Sequence, residues 1–319
     1  MTATSPTADP DKFQPVHQRP AQPQISRRDR VLAHLSMLLF AGMIALGFSL
    51  TALIRDDITT VPLNASRFLF GTLIMGAVTF IGARQKAQFP AASWRFGLLG
   101  LLSAVYFVTM FIALTLAPPI VTSAMFTLIP LMAAAMAFVL MRQKAKPLVL
   151  VSLLLAGLGS IWVIFHGDVA AILAFDIGRG EVIFFSGCVC YALYTVLLRR
   201  LNRGEPSLVA SFWTLVATTL WIAVYGVRDL VATDWLHLPA IVWWVIAYLS
   251  IFPTAITFFL VQFAALRLPS AKVIAYGYLT PGFVILFEGI GGHGWPSLSV
   301  ISGALVTVLG LVVLAVVPD

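Results

Sequence analysis

The sequence predicts an all-α polytopic membrane protein, with ten transmembrane helices arranged as two inverted five-helix repeats. Three observations lead there. The 319-residue chain is 60% hydrophobic and 10% charged, where a soluble domain carries about 25% charged residues. Its mean hydropathy is +0.97. Apolar runs of about 18 residues or more recur, each long enough to span a bilayer. Finally, prolines, glycines and arginines recur in one order at nearly constant spacing. A β-barrel is excluded, because its segments would be short and alternating.

The repeat shows best in two stretches, Ala113–Met141 and Ala264–Glu288. Each has a proline in a short loop and a second proline inside the next apolar run. Those second prolines, Pro130 and Pro281, lie 151 residues apart. Pro147 and Pro296 are 149 apart, Gly157 and Gly303 are 146 apart, and Pro62 with Pro206 and Arg55 with Arg199 are 144 apart. One ordered series of matches implies two copies of one unit.

Taken in order, residues 1–30 form a polar, Pro- and Gln-rich cytoplasmic tail ending in Arg27, Arg28 and Arg30. The apolar runs follow at roughly 31–53, 61–83, 95–116, 118–141 and 147–165 in the first repeat (31–165). Those of the second repeat (181–317) lie at roughly 181–199, 207–226, 239–263, 271–290 and 296–317. The first run is too long for a signal-peptide core and lacks a small-residue cleavage site. Short connections make neighbouring helices antiparallel.

Loop charges orient the chain. With the tail inside, the inner loops hold Arg27, Arg28, Arg30, Arg84, Lys86, Arg95, Arg142, Lys144, Lys146, Arg199, Arg200, Arg203, Arg267 and Lys272. The outer loops hold Arg55, Arg179 and Arg228 beside most of the carboxylates. This asymmetry puts both termini in the cytoplasm and requires an even helix count. Because five is odd, the second copy enters the membrane from the opposite side, as suits alternating access around a midplane site. Trp94, Trp162, Trp235, Trp243, Trp244 and Trp295 fall near helix ends and read as interfacial anchors.

These residues resemble the drug/metabolite transporter superfamily, specifically its ten-helix EamA-type members. The resemblance covers about 31–317. It rests on the Arg67-Phe68 pair in the second helix and on the paired helix prolines Pro130 and Pro281. It also rests on Glu288 closing the ninth helix and on Gly303 and Gly310 in the last. The first repeat departs from the pattern, because no glutamate follows Pro130 at the position matching Glu288. The resemblance implies a central cavity between the halves and movement of small organic metabolites, often outward. The setting is the inner membrane, with the lipid bilayer and a small-molecule substrate as partners and the protein a monomer or homodimer. No nucleic acid, metal or cofactor is expected. Uptake or exchange remains open beside export. A lipid-modifying enzyme would need clustered His, Asp or Glu at one membrane face, and a sensor would lack a solvated cavity. No Walker loop, HExxH or GxSxG is present, so no enzyme is expected.

Candidate cavity residues are the in-membrane hydroxyls and aromatics Tyr106, Thr109, Tyr194, Tyr276 and Thr280. They either join helices or line a cavity sparing in hydrogen-bond groups. Arg67, Pro130, Pro281 and Glu288 are read as structural or gating residues. Arg67 either contacts an anionic substrate group or pairs with Glu288 or Asp57. Cys188 and Cys190 lie on different faces of one helix and read as packing residues. With few ionisable groups in the runs, the expected substrates carry little net charge.

Overall fold

The computed structural model describes residues 27–85, 90, 92–143, 146–265, 267–268 and 270–316. The tail before Arg27 lies outside these residues, as do Lys86, Lys144 and the side chain of Arg199. The described residues are helical, with no strand. The helices are α1 (Arg27–Leu53), α2 (Thr60–Gly76), α3 (Trp94–Leu116), α4 (Pro119–Phe126), α5 (Ile129–Met141), α6 (Pro147–Ile164), α7 (Val169–Ala174) and α8 (Arg179–Leu201). They continue as α9 (Ser207–Tyr225), α10 (Val227–Ala232), α11 (Ala240–Ser250), α12 (Thr257–Ala265), α13 (Ser270–Ala275), α14 (Thr280–Ile290) and α15 (Leu298–Val316).

Among the described residues, seven helices are long and apolar enough to cross a membrane. They include α1, α2 with its continuation to Gly82, and the joined pair α4–α5. Shorter apolar helices occur at Ala240–Ile256 and Leu298–Val313. Large apolar side chains such as Leu73, Ile81, Val139, Leu158, Trp244 and Leu305 face outward. Asn64, Ser66, Arg67, Thr122, Ser160, Thr218 and Thr280 are buried. An apolar outer surface with polar groups buried inside is the distribution of a polytopic membrane protein.

Three expected runs are interrupted at or just before a proline. The run at 118–141 breaks between α4 and α5, just before Pro130. The run at 271–290 breaks at a 3-10 turn, Tyr276–Leu279, just before Pro281. The run at 239–263 passes through a π turn, Ile251–Ile256, that contains Pro253. The cause is shared. Proline has no N–H to donate to the carbonyl four residues back. At Pro253 that carbonyl is Leu249 O, and the Thr254 hydroxyl donates to it at 3.0 Å instead. Pro130 and Pro281 sit in the first turn of their helices, where the missing N–H costs little. The short helices α7 and α10 lie between the expected runs. Asp168 caps α7 by accepting from the amides of Ala170 and Ala171.

Glycines set the tightest packing. A Cβ on Gly159 of α6 would lie 2.5 Å from the Thr307 amide nitrogen and 2.6 Å from Gly303 O on α15. Ser152 Oγ donates to Gly310 O at 2.7 Å, and Trp162 Nε1 donates to Ser299 O at 3.0 Å across the same pair. Trp162, expected as an interfacial anchor, therefore also ties α6 to α15. On α3, Gly100 meets Ala217 of α9. Small residues let backbones approach where lipid supplies no hydrophobic drive.

Gly159→Ala therefore overpacks the α6–α15 seam and should cost about 1–3 kcal/mol. Gly42→Ala meets nothing within 4 Å and should be neutral or stabilising by up to about 1 kcal/mol. Thermal unfolding of the detergent-solubilised variants compares the two. Equal melting points would contradict the packing assignment.

Candidate functional site

Two adjoining cavities lie inside the helix bundle. The larger, about 480 Å³, is mostly apolar. Its walls come from α1 (Met37, Phe40), α4 and α5 (Phe126, Pro130, Ala133, Ala137), α6 (Ser152, Leu153), α8 (Tyr191, Thr195), α12 (Val261) and the α13 region (Ala275, Gly277, Tyr278). At one end it reaches Met141 and Gln143. The smaller, about 230 Å³, lies among α2, α3, α8, α9 and the Pro253 turn. It is lined by Arg67, Ser103, Tyr191, Tyr194, Ser211, Thr214, Thr218, Thr254 and Thr257, with Phe68 and Phe107. Tyr191 and Val261 belong to both walls.

Arg67 dominates the smaller cavity. It is 4% exposed. Its guanidinium carbon lies 5.3, 4.8 and 5.7 Å from the ring centres of Phe68, Phe107 and Phe111. Among the described residues its side chain makes no hydrogen bond and no ion pair, and Nε is buried without a partner. Neither expected carboxylate reaches it. Glu288 instead faces His293, with Oε2 3.0 Å from Nδ1. Rings near a cation return about 0.5–2 kcal/mol, whereas a buried charge left unpaired costs about 3–5 kcal/mol.

The five cavity candidates do not converge on one wall. Tyr194 lines the polar cavity. Tyr106 is 3% exposed and stands behind it, its ring 4.4 Å from Tyr191 and 4.8 Å from Phe107. Tyr191 in turn stacks on Tyr194 at 5.2 Å. Thr109 donates to its own helix, to Val105 O at 2.8 Å, and packs against Gly187 of α8. Tyr276 lies elsewhere, its hydroxyl 2.6 Å from His34 Nδ1. Thr280 is fully buried at the start of α14, with no partner for Oγ1. Pro130 lines the apolar cavity and Pro281 opens α14. Buried Glu288 keeps one oxygen, Oε1, unpartnered.

Residues outside the candidate set also build the polar wall, chiefly Tyr191, Ser103, Ser211, Thr214 and Thr218. The available signal was the spacing of Ser211, Thr214 and Thr218. At i, i+3 and i+7 they form one stripe on a mostly apolar helix.

One ion pair ties a helix end to a loop. Arg95, at the start of α3, donates to Glu205 Oε1 at 2.6 Å and to Leu201 O. Counted among the loop charges, Arg95 is in fact 2% exposed. The hydrogen bond from Arg95, helped by the Arg203 amide, holds the Glu205 carboxyl down to about 2.

Comparison with known proteins now bears on this arrangement. The sequence profile of the EamA-like transporter family matches twice, over residues 31–165 and 178–316. The chain belongs to the EamA-like transporter family. It is a multi-pass membrane transporter and not an enzyme, with a small-molecule substrate. It is similar to the uncharacterized transporter YyaM of Bacillus subtilis (strain 168), at 22% identity over 78% of this chain and 83% of that one. A solved crystal structure, 21% identical, shares the fold with a TM-score of 0.64 over 90% of this chain and 97% of its own.

The Glu205 contribution is full above about pH 4.5, the ordinary value, and is lost as the pH falls through about 2. Glu205→Gln should therefore melt below the wild type at pH 7, and the gap should close as the pH falls from 4.5 towards 2. Melting curves across that range measure it. A gap independent of pH would contradict the pairing.

Proposed function

We propose that this protein is an inner-membrane secondary transporter that exports small organic metabolites, amino-acid-like or amphipathic. It works by alternating access between two inverted five-helix repeats, 31–165 and 181–317, which together make ten spans. Both termini are cytoplasmic. The central cavity carries this reading. The apolar chamber takes walls from α1, α4, α5 and α6 of the first half and from α8, α12 and the α13 region of the second. A site built from both halves changes its exposure when one half rocks against the other.

The helix pairings support the repeat. The principal pairs join the halves: α6 with α15, α3 with α8 and α9, α2 with α9 and α11, α1 with α12 and α14, and α5 with α8. Exchanging each helix for its counterpart in the other half maps the set onto itself. The α3–α8 pair becomes the α12–α1 pair, the α3–α9 pair becomes the α11–α2 pair, and the α1–α14 pair becomes the α8–α5 pair. The broken helices support the mode of binding. The interruptions before Pro130 and Pro281 fall at corresponding places in the two halves. Discontinuous helices in membranes are tolerated where they border a cavity or protein.

Flux from proteoliposomes tests the reading. Labelled small metabolites, amino acids first, should leave faster than from protein-free vesicles. Ala133→Phe, which fills the apolar chamber, should slow efflux by at least about tenfold, since a blocked site leaves only leak. Unchanged efflux in well-folded Ala133→Phe protein would count against this cavity as the route. Topology is tested separately by reporter fusions after residues 145 and 172. The first should read inside and the second outside, and an inside reading at 172 would overturn the inverted arrangement.

A further inference from the structure

Arg67 is the one charged residue lining either cavity among the described residues. Its guanidinium is buried, covered by three aromatic rings that accept no conventional hydrogen bond, and makes no hydrogen bond or ion pair. Planar, forked and permanently charged, it matches a carboxylate in shape as well as sign.

The hydroxyls around it divide into two groups. Thr214, Thr218, Thr254 and Thr257 already donate to backbone carbonyls of their own helices. Their protons are committed. Tyr191, Tyr194, Ser103 and Ser211 line the same cavity and make no side-chain hydrogen bond with any described residue. Their protons remain to be donated, and a carboxylate accepts only. Among the described residues no carboxylate lines either cavity, so an ammonium group would find no counter-ion there. Glu288, the nearest thing to one inside the bundle, is engaged by His293 and lines neither wall.

We infer that the transported molecule is an amphipathic organic monoanion. Its carboxylate docks on Arg67 in the small polar cavity, and its apolar part passes Tyr191 and Val261 into the larger one. This rests on the transporter reading and narrows it, selecting the anion over the zwitterion. It also bears on direction. A monoanion leaving a cell whose interior is electrically negative moves down the electrical gradient, so export needs no embedded proton carrier.

Three probes that share one side chain and differ in charge test it. They are N-acetylphenylalanine (monoanion), phenylalanine (zwitterion) and phenylalaninamide (cation), each offered to the full chain in proteoliposomes. Protein-dependent flux of N-acetylphenylalanine should exceed that of the other two by at least about tenfold, and Arg67→Gln should lose at least about tenfold of it. Arg67→Lys should retain part, since the charge stays while the fork goes. If Arg67→Gln fails to fold, modification of Arg67 by phenylglyoxal in the wild type serves instead. Read by mass spectrometry, it should be slowed by N-acetylphenylalanine and not by phenylalaninamide. Preference for phenylalanine or its amide overturns the inference and leaves transport standing, as does Arg67 modification insensitive to the anion. So does absent N-acetylphenylalanine flux while other compounds of a metabolite extract still cross. No protein-dependent flux of any compound overturns both.

Discussion

In a hydrocarbon core an unpaired polar group has no water to turn to, so each one must be matched inside the protein. Much of this structure follows from that constraint. Threonines on α9 return their protons to backbone carbonyls one turn back. Thr254 takes over the carbonyl that Pro253 leaves without a donor. Ser152 satisfies itself on the carbonyl of Gly310 across a helix seam. Thr280 Oγ1, Glu288 Oε1 and Arg67 Nε depart from that pattern, and of these Arg67 is the cation, its donors meeting aromatic faces and a cavity.

The packing and the site have one origin. The principal helix pairs join opposite halves, and glycines bring several of these backbones close. Between these seams, helices broken near Pro130 and Pro253 border the cavities. Van der Waals contact at the seams holds the halves together, while the central space stays available for a molecule. Tyr191, which borders both chambers, stacks on Tyr194 and has the tilted ring of Tyr106 behind it.

Fold class and most helix boundaries were legible because hydropathy over about 20 residues is a one-dimensional property. Prolines also announced the breaks near Pro130 and Pro281, since a missing N–H acts locally. The site was less legible. Hydroxyls at Thr109 and Tyr194 look alike in sequence, yet one bonds its own helix and the other lines a cavity. Whether a polar residue joins helices or faces open space depends on the rotation of the helix, which packing sets. Arg67 was conspicuous as a charge within an apolar run, but its lack of a carboxylate partner depends on where Glu288 and Asp57 come to lie. The Glu288–His293 contact depends on a turn whose hydrophobicity says nothing about it.

Arg67 is a buried cation with no counter-charge supplied by the described residues. Placing a carboxylate on the cavity wall at Ser103 tests it most directly, through a thermal-stability cycle of wild type, Ser103→Asp, Arg67→Gln and the double variant. If the claim holds, Asp at 103 is tolerated or stabilising beside Arg67 and clearly destabilising once Arg67 is Gln, giving a coupling of about 1–3 kcal/mol. An equal cost of Ser103→Asp in both backgrounds would show that Arg67 is already compensated, contradicting the account.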